Sequence, residues 1–376
     1  MRPRPGRPWP GRSRAVPAMS GSRCRPGAPP PPAAGARARA GKGGSPAGGR
    51  RPAAALPPDC EERTGDGARS CPMNEIPAYP ARLAGLHAAL MTPYDAAGEV
   101  SEPCLRQLVA AVFNQGLDGL YVGGSTGESL LLTTEERQRV FRVAAEEGKG
   151  CGALIGHVGA ISTREAQILA RSCAALGYDA VSAIPPIYFQ HSRAAIRDYY
   201  AAIVDAAEGL PLILYNVPAM SGIRFTLAEL QDLLGLPGVV GIKQTTNDMY
   251  QMEQLHRGFP GLLLLNGFDE MLLAGLVSGA NGGIGSTYNV MGQRYRELRR
   301  LVLAGDTAGA LAVQSRCNAV IDTLLAFGVF PALKYLLFRL GIIRTPLCRA
   351  PMESLTGGAI DRLDAIAAEL AGELGR

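Results

Sequence analysis

Starting at Leu86, short apolar runs recur in this chain of 376 residues about every 20–35 residues. Most runs are bounded by Gly or Pro, and the stretches between them have helical spacing with charges on one face. Parallel strands need a helical crossover to return to the same sheet edge, so this alternation is typical of βα units. The runs lie at 86–93, 119–124, 153–159, 180–186, 211–218, 239–245, 262–267 and 282–286.

Eight βα units within about 200 residues predict an α/β fold, a closed (β/α)8 TIM barrel. The alternative is a doubly wound sheet, but no Gly-x-Gly-x-x-Gly follows an early strand. Further helices are predicted after the eighth strand, and they would pack beside the barrel or build a subunit interface. The sequence therefore divides into a barrel at 73–290 and a C-terminal helical extension at 291–376. Three or four helices are predicted after the strands, at roughly 292–304, 307–327, 331–340 and 358–374.

Helix start signals occur between the strands. The helical stretch 133–150 has Thr134 as a candidate N-cap and Gly148 near its end. In the stretch 162–177, Ser162 stands three residues before Glu165, which predicts a capping box.

Residues 1–72 differ in composition from the rest of the chain. They hold 15 of the 28 prolines, and 14 basic residues against four acids give them a net charge of +10. The whole chain has a net charge of +5, so the remaining residues sum to −5. A Pro- and Arg-rich segment without a periodic apolar face cannot bury enough surface to offset its ordering entropy. We expect it to be disordered rather than a targeting peptide, and Met73 to be the true start.

Composition also excludes several classes of protein. Outside the basic segment no basic face for nucleic acid is indicated, and no apolar run reaches the roughly 18 residues of a membrane span. The eight cysteines are irregularly spaced without Cys-x-x-Cys, which indicates free thiols in a reducing compartment. The four histidines lack the spacing of metal ligands, so no metal is expected.

One lysine stands out among the polar residues at the predicted strand ends, where a barrel places its catalytic groups. Of the 38 basic residues only four are lysines, and an amine nucleophile cannot be arginine. Lys42 lies in the basic segment, Lys149 in a Gly-rich turn, and Lys334 in a helical stretch as a snorkelling residue. Lys243 alone ends an apolar strand, where desolvation would favour a neutral amine able to attack a carbonyl. The alternative is a lysine paired with a core carboxylate.

Other strand ends each allow two interpretations. The Gly-Gly-Ser-Thr-Gly-Glu stretch at 123–128 suits a small carboxylate or forms an ordinary turn. Tyr215 is either a proton carrier or a buried tyrosine bonded to its neighbours. Asp269 and Glu270 either bind substrate hydroxyls or favour a helix N-terminus. His157 is assigned no role, because a satisfied core histidine explains it.

Nine ordered motifs extend from about Leu83 to the C-terminus. Together they resemble the N-acetylneuraminate lyase branch of the dihydrodipicolinate synthase family. The motifs are GLYVGGSTGE (119–128), GHVG (156–159), YDAVSAIPP (178–186), LYNVPAMSG (214–222), GIKQT (241–245), YQMEQ (250–254), NGFDE (266–270), GGIGSTYNVMG (282–292) and PLCRAP (346–351).

The resemblance implies a Schiff-base (class I) aldolase that reversibly cleaves N-acetylneuraminate to pyruvate and N-acetylmannosamine without a cofactor. Lys243 would form the imine with the substrate ketone. Tyr215 would shuttle the proton of the C4 hydroxyl through the pyruvyl carboxylate and Thr126, and Tyr188 would support this relay across a subunit contact. A cytoplasmic homotetramer without nucleic-acid or membrane partners is the expected form. The implied substrate-binding residues are Ser125, Thr126, Thr245, Gly267, Asp269, Glu270 and Ser286.

Met220 separates the branches of the family. The dihydrodipicolinate synthases carry an arginine two residues after Tyr-Asn-x-Pro, and this chain has Met220 there. Without that guanidinium a second substrate carboxylate cannot be held, which favours the lyase. A lyase for another 2-keto-3-deoxy sugar acid is the nearest alternative, and a barrel that only binds a keto acid or sugar is the alternative outside enzymes. Departures from the lyase pattern at Pro185, Ile187 and Phe268 could alter the preference among sialic acids.

Intact-mass analysis of the native protein tests the predicted start. We expect a mature chain that begins at Met73, because the preceding segment has no means of packing onto a fold. A mature chain that retains residues 1–72 would contradict this expectation.

Overall fold

The eight apolar runs of the sequence are eight strands of one closed parallel barrel in a computed structural model, which describes residues 78–353, 355 and 357–375. Neighbouring strands pair in chain order, and β8 closes the ring on β1. The predicted TIM barrel is confirmed. The strands are β1 Leu86–Ala89, β2 Gly119–Val122, β3 Ala153–His157, β4 Ala180–Ala183, β5 Leu212–Asn216, β6 Val239–Gln244, β7 Leu263–Asn266 and β8 Gly282–Gly285.

Eight helices surround the strands, and a further short helix follows β5. The surrounding helices are α1 Glu102–Asn114, α2 Thr134–Gly148, α3 Thr163–Leu176, α4 Arg193–Ala206, α6 Leu227–Leu234, α7 Met249–Gly258, α8 Leu272–Val277 and α9 Tyr288–Leu303; the short helix is α5 Pro218–Ser221. Three helices then follow along the chain: α10 Thr307–Phe327, α11 Val329–Arg339 and α12 Gly357–Glu373.

The first helix predicted beyond the barrel belongs to the barrel itself. Helix α9 packs against β1 and β8 and lies between α1 and α8, so it completes the outer ring. The additional helices are therefore α10–α12. The proposed division at residue 290 falls inside α9, next to non-helical backbone at Met291. The prediction for residues 1–72 lies outside the described residues.

Strand side chains alternate between the barrel interior and the surrounding helices. Tyr121, Ile213 and Tyr215 belong to the apolar cluster that fills the barrel. Ile242 belongs to the larger cluster between strands and helices. Successive side chains of a strand point to opposite faces, so Lys243, the residue after Ile242, points into the barrel.

The start of α2 differs by one residue from the prediction. Thr133 is the N-cap: its Oγ1 accepts from Glu136 N at 3.2 Å, and Glu136 Oε2 accepts from Thr133 N at 2.8 Å. The predicted cap, Thr134, is wrong because this residue is already helical and donates its hydroxyl to Glu165 Oε1 at 3.2 Å.

Ser162 caps α3 as predicted, since its Oγ accepts from Glu165 N at 3.2 Å. The capping box predicted here is wrong, because the Glu165 carboxylate does not return to Ser162. It lies instead beside Thr134 and 3.8 Å from Arg137.

Lys334 does not snorkel to the surface. Its side chain is fully buried on α11, where it forms an ion pair with the equally buried Glu128. The helical pattern showed a cation on an apolar face, but a carboxylate brought from elsewhere in the chain decides where the ammonium lies.

Cys104, Cys173 and Cys317 are buried free thiols, which confirms the prediction for these three. No single helix of the described residues has both the length and the apolar character to cross a membrane. Helices α10 and α11 meet that test of length and composition only as a pair, across a bend of 115°.

Replacing Thr133 by Ala removes the side-chain acceptor at the start of α2. We expect Thr133→Ala to lower the free energy of unfolding by about 1 kcal/mol, because a helix N–H loses its partner. Thr133→Ser keeps the acceptor and is the matched control in urea denaturation. Equal stabilities of the two variants would show that Thr133 is not the cap.

Candidate active site

Lys243 is the next-to-last residue of β6 and lies inside the barrel, where its exposed fraction is only 5%. In the sheet register it lies beside Tyr215 of β5. Its Nζ is 4.0 Å from the centroid of the Tyr215 ring and 4.6 Å from that of the Tyr121 ring. The amine is therefore held between two aromatic faces.

No carboxylate of the described residues forms an ion pair with Lys243. The interpretation of a lysine neutralised by a core acid is therefore wrong. Aromatic faces attract a cation, but they carry no negative charge that would pair with it. A buried amine without an acid partner can act as a nucleophile toward a carbonyl carbon.

Tyr121 is a site residue that the sequence analysis missed. It lies in β2, and its hydroxyl donates to Ser182 Oγ at 3.0 Å. Burial raises the pKa of Tyr121 well above its ordinary value, so the phenol stays neutral. Its ring meets that of Tyr215 edge to face, with 6.1 Å between centroids. The inward position of Tyr121 on β2 was the available signal, since strand alternation alone placed it in the barrel.

His157 lies beside the same two tyrosines, with ring centroids 5.8 Å from Tyr121 and 5.9 Å from Tyr215. Both ring nitrogens have partners: Nδ1 donates to Gly123 O at 3.0 Å, and Nε2 accepts from Ile184 N at 3.3 Å. Burial, and secondarily the positive charge of Arg137, lower the pKa of His157 to about 3. This agrees with the interpretation of a satisfied, neutral core histidine.

The turn after β2 carries two hydroxyls. Ser125 and Thr126 lie in a single helical turn, and Thr126 Oγ1 lies 2.6 Å from Ser286 Oγ, which follows β8. The backbone N–H groups of Ser125 and Thr126 make no hydrogen bond to any described residue. Free N–H groups at the start of a helical turn, next to hydroxyls, suit an anion. This favours the binding interpretation of the stretch over an ordinary turn.

Thr245 and Gly267 lie against each other beyond β6 and β7. A Cβ added at Gly267 would overlap Thr245 Oγ1, so only glycine fits there. Thr245 is buried, and its Oγ1 has no partner among the described residues. A buried hydroxyl without a partner is unusual and is available to a ligand.

Asp269 is buried and already has protein partners. Its Oδ2 accepts from Thr287 N at 2.7 Å and from Thr287 Oγ1 at 2.6 Å. Burial raises the pKa of Asp269 to about 6 even though these hydrogen bonds oppose the shift. Asp269 also opens a short helical turn with Glu270, so the interpretation as acids at a helix start agrees with the geometry as well.

Tyr188 and Met220 are not brought into this cluster within one chain. Tyr188 is 87% exposed, adopts a φ of 79°, and packs its ring on Phe189. Met220 is also exposed, on α5. A role for Tyr188 across a subunit contact therefore stays a proposal.

A family comparison agrees with this geometry. The dihydrodipicolinate synthetase family matches residues 82–370, which include the whole barrel and most of α12. The chain belongs to the dihydrodipicolinate synthetase family. An N-acetylneuraminate lyase of Enterobacter sp. (strain 638) is 46% identical over 289 residues, which cover 77% of this chain and 97% of that relative.

Two solved structures of the family are similar as well. The N-acetylneuraminate lyase from Fusobacterium nucleatum complexed with pyruvate has a TM-score of 0.72 at 35% identity, covering 79% of this chain and 99% of that one. A catalytic lysine mutant of the Ruminococcus gnavus sialic acid aldolase has a TM-score of 0.75 at 28% identity, covering 78% and 97%.

These comparisons confirm the family resemblance that the sequence motifs indicated. The chain is an enzyme of this family, and the predicted lyase class is confirmed. Within the described part of the chain, no group of three or more His, Cys, Asp or Glu side chains is arranged to hold a metal ion.

The raised pKa of Asp269 makes folding stability depend on pH. The folded state binds this proton more tightly than the unfolded state, whose carboxyl titrates near 3.8. Its contribution to stability is therefore full below about pH 4 and is lost as the pH rises through about 6. We expect the free energy of unfolding of the wild type to fall by about 3 kcal/mol between these pH values because of this carboxyl. The Asp269→Asn variant should not show this fall.

Urea midpoints at pH 4 and pH 7 measure this loss. Asp232→Asn is the control, because Asp232 is an exposed acid on α6 whose removal leaves the buried carboxyl in place. If the stabilities of the wild type and the Asp269→Asn variant depend on pH in the same way, the raised pKa of Asp269 is contradicted.

Proposed function

We propose that the protein is a class I aldolase that reversibly cleaves N-acetylneuraminate to pyruvate and N-acetylmannosamine through an imine on Lys243. The observation that carries the proposal is the Lys243 amine, which lies inside the barrel against two tyrosine rings and pairs with no described carboxylate. The identity of 46% to an N-acetylneuraminate lyase over nearly its full length supports the substrate.

In the proposed reaction the neutral amine of Lys243 attacks the C2 ketone of the open-chain sugar, and water leaves to give a protonated imine. The C4 hydroxyl loses its proton as the C3–C4 bond breaks, and the bonding electrons move into the imine to form an enamine. N-acetylmannosamine leaves, C3 takes up a proton, and hydrolysis releases pyruvate and the free lysine.

Tyr215 is the proposed carrier of the C4 proton. Its ring touches the Lys243 amine, so its hydroxyl belongs to the same interior layer of the barrel. A path through the substrate carboxylate and Thr126 would complete the relay. A proton carrier has to lie within hydrogen-bond reach of the group it serves, directly or through one intermediate.

The turn after β2 is the proposed site of the pyruvyl carboxylate. The Ser125 hydroxyl and two N–H groups that bond to no described residue are donors for the carboxylate oxygens, and the Thr126 hydroxyl, which also contacts Ser286, lies beside them. Charge-assisted hydrogen bonds of this kind are stronger than neutral ones. A carboxylate held here would orient the adjacent C2 ketone toward an amine deeper in the barrel.

The sugar chain is proposed to lie along the ends of β6, β7 and β8. Thr245 offers a buried hydroxyl without a partner, and Asp269 keeps its second carboxylate oxygen for a ligand. Glycine at 267 leaves room beside Thr245. The residues proposed for the hydroxyl-rich tail are Thr245, Gly267, Asp269, Glu270 and Ser286.

Met220 supports the lyase over the synthase, because a thioether cannot hold a second carboxylate. A lyase for another 2-keto-3-deoxy sugar acid is the nearest alternative. We further propose a cytoplasmic homotetramer in which Tyr188 reaches the relay of a neighbouring subunit. Its exposure in the single chain leaves it accessible for such a contact.

Borohydride reduction in the presence of pyruvate tests the covalent step. We expect a stable pyruvate adduct on the peptide that contains Lys243, because reduction traps the imine. Lys149 is an exposed lysine and serves as the internal control for labelling by access alone. Lys243→Arg keeps a cation but lacks a nucleophilic amine, so turnover should be lost while the protein stays folded.

An adduct absent from the Lys243 peptide, or normal turnover by Lys243→Arg, would remove the aldolase proposal. The substrate is tested in parallel by assaying N-acetylneuraminate cleavage against condensation of pyruvate with aspartate semialdehyde. Activity only with the semialdehyde would overturn the lyase assignment and leave the imine chemistry standing.

A further inference from the structure

Glu128 ends the turn that carries Ser125 and Thr126, and its backbone is unusual. It adopts a φ of 59°, a left-handed conformation that residues with a Cβ rarely take. Such a conformation persists where the surroundings hold it in place, and it is found near functional sites. The side chain of Glu128 is fully buried, although it carries a carboxyl group.

A buried cation neutralises Glu128. Lys334 of α11 forms an ion pair with Glu128 Oε1, and both side chains are fully buried. Lys334 Nζ also donates to Leu347 O at 2.7 Å and lies 3.9 Å from the centroid of the Tyr94 ring. Burial lowers the pKa of Lys334 because the loss of water outweighs the attraction of Glu128.

The second carboxylate oxygen of Glu128 is held by the PLCRAP stretch. Arg349 donates its backbone N–H to Glu128 Oε2 at 2.7 Å. The Arg349 guanidinium reaches Glu136 at the start of α2, with Nη2 2.7 Å from Oε1 and Nη1 3.2 Å from Oε2. Arg349, in the C-terminal part of the chain, thus contacts the end of the turn from outside the barrel.

Glu128 is joined directly to the turn that it ends. Its backbone N–H donates to Ser125 O at 3.0 Å, and Gly127 N donates to Gly124 O at 3.0 Å. These bonds set the direction of the N–H groups of Ser125 and Thr126. A change in the position of the Glu128 side chain is therefore passed to the donors of the turn.

A buried ion pair adds little net stability, because the loss of hydration offsets the attraction between its charges. Its main consequence is geometric: neither partner can move without leaving the other unpaired. In this structure the constrained element is the turn proposed to hold a carboxylate, and the constraining residue comes from a helix outside the barrel.

We propose that Glu128 is a positioning residue, whose buried ion pair with Lys334 fixes the turn at 125–128 in the conformation that binds the carboxylate of the substrate. The inference rests on the proposed function of that turn. It assigns α11 and the PLCRAP stretch a part in substrate binding, although neither contributes a side chain to the barrel interior.

The test compares Glu128→Gln, Lys334→Met and the double variant with the wild type. Two quantities are measured in the full-length protein: the pyruvate concentration that gives half-maximal borohydride trapping on Lys243, and KM and kcat for N-acetylneuraminate. We expect half-maximal trapping and KM to rise about tenfold, with kcat changed less than about threefold, because ground-state binding of the carboxylate is weakened.

The double variant separates positioning from stability. It removes both charges at once, so its Tm should exceed that of either single variant, while its affinity for pyruvate stays reduced. If a single variant does not fold, the pyruvate affinity of the charge-balanced double variant tests the positioning role. Recovery of both the Tm and the pyruvate affinity in the double variant would overturn the proposal.

Arg294→Gln is the matched control. Arg294 is a buried cation on α9 whose guanidinium pairs with Glu373 and Glu369 of α12, away from the turn. This variant should lower the Tm and leave half-maximal trapping unchanged. A similar loss of affinity in Arg294→Gln would mean that any destabilisation has this effect.

Borohydride trapping of pyruvate in the wild-type protein distinguishes a failure of this inference from a failure of the proposed function. Absence of trapping on Lys243 in the wild type would overturn the aldolase and the positioning role together. Trapping in the wild type with unchanged half-maximal concentrations in the Glu128 and Lys334 variants would overturn the positioning role only.

Discussion

Lys243 keeps its amine inside the barrel against the rings of Tyr121 and Tyr215, and no described carboxylate pairs with it. The geometry of the site follows from this arrangement. The interior of a small barrel is filled by side chains, so a polar group there needs a partner or a reason for lacking one. Two neutral aromatic faces shield the amine from water and do not pair with it as a carboxylate would.

The two buried lysines among the described residues show how neighbours decide the role of one residue type. Lys334 is as deeply buried as Lys243, but it faces Glu128, the Tyr94 ring and a backbone carbonyl. The Glu128 carboxylate at contact distance pairs with the Lys334 side chain, which makes Lys334 a structural residue. Lys243 has no such partner among the described residues, and it is the lysine proposed to attack the substrate ketone.

Both lysines act on elements that end at the same mouth of the barrel. Lys243 comes from β6 inside it, whereas Lys334 reaches the turn after β2 from behind, through Glu128. The same turn is joined to the end of β8 by Thr126 and Ser286. Lys334 and Arg349 lie more than 200 residues from Glu128 in the sequence but contact it in the fold, so α11 and the stretch after it are more than an appendage to the barrel.

The sequence by itself determined the barrel, because a parallel strand and its crossover helix leave a periodic apolar pattern that does not depend on distant residues. It also selected Lys243 as the candidate nucleophile, since the chain uses arginine almost everywhere else, and it identified Ser162 as a helix cap, since capping is a local hydrogen bond. Thr133 was missed by one residue, because two adjacent threonines satisfy the same local rule. Only the tertiary structure decided the partners of Lys243, Lys334 and Glu128, and the inward ring of Tyr121. Those depend on which side chains meet across the fold, and the energy of a buried charge is set by such neighbours rather than by the residues next to it in the chain.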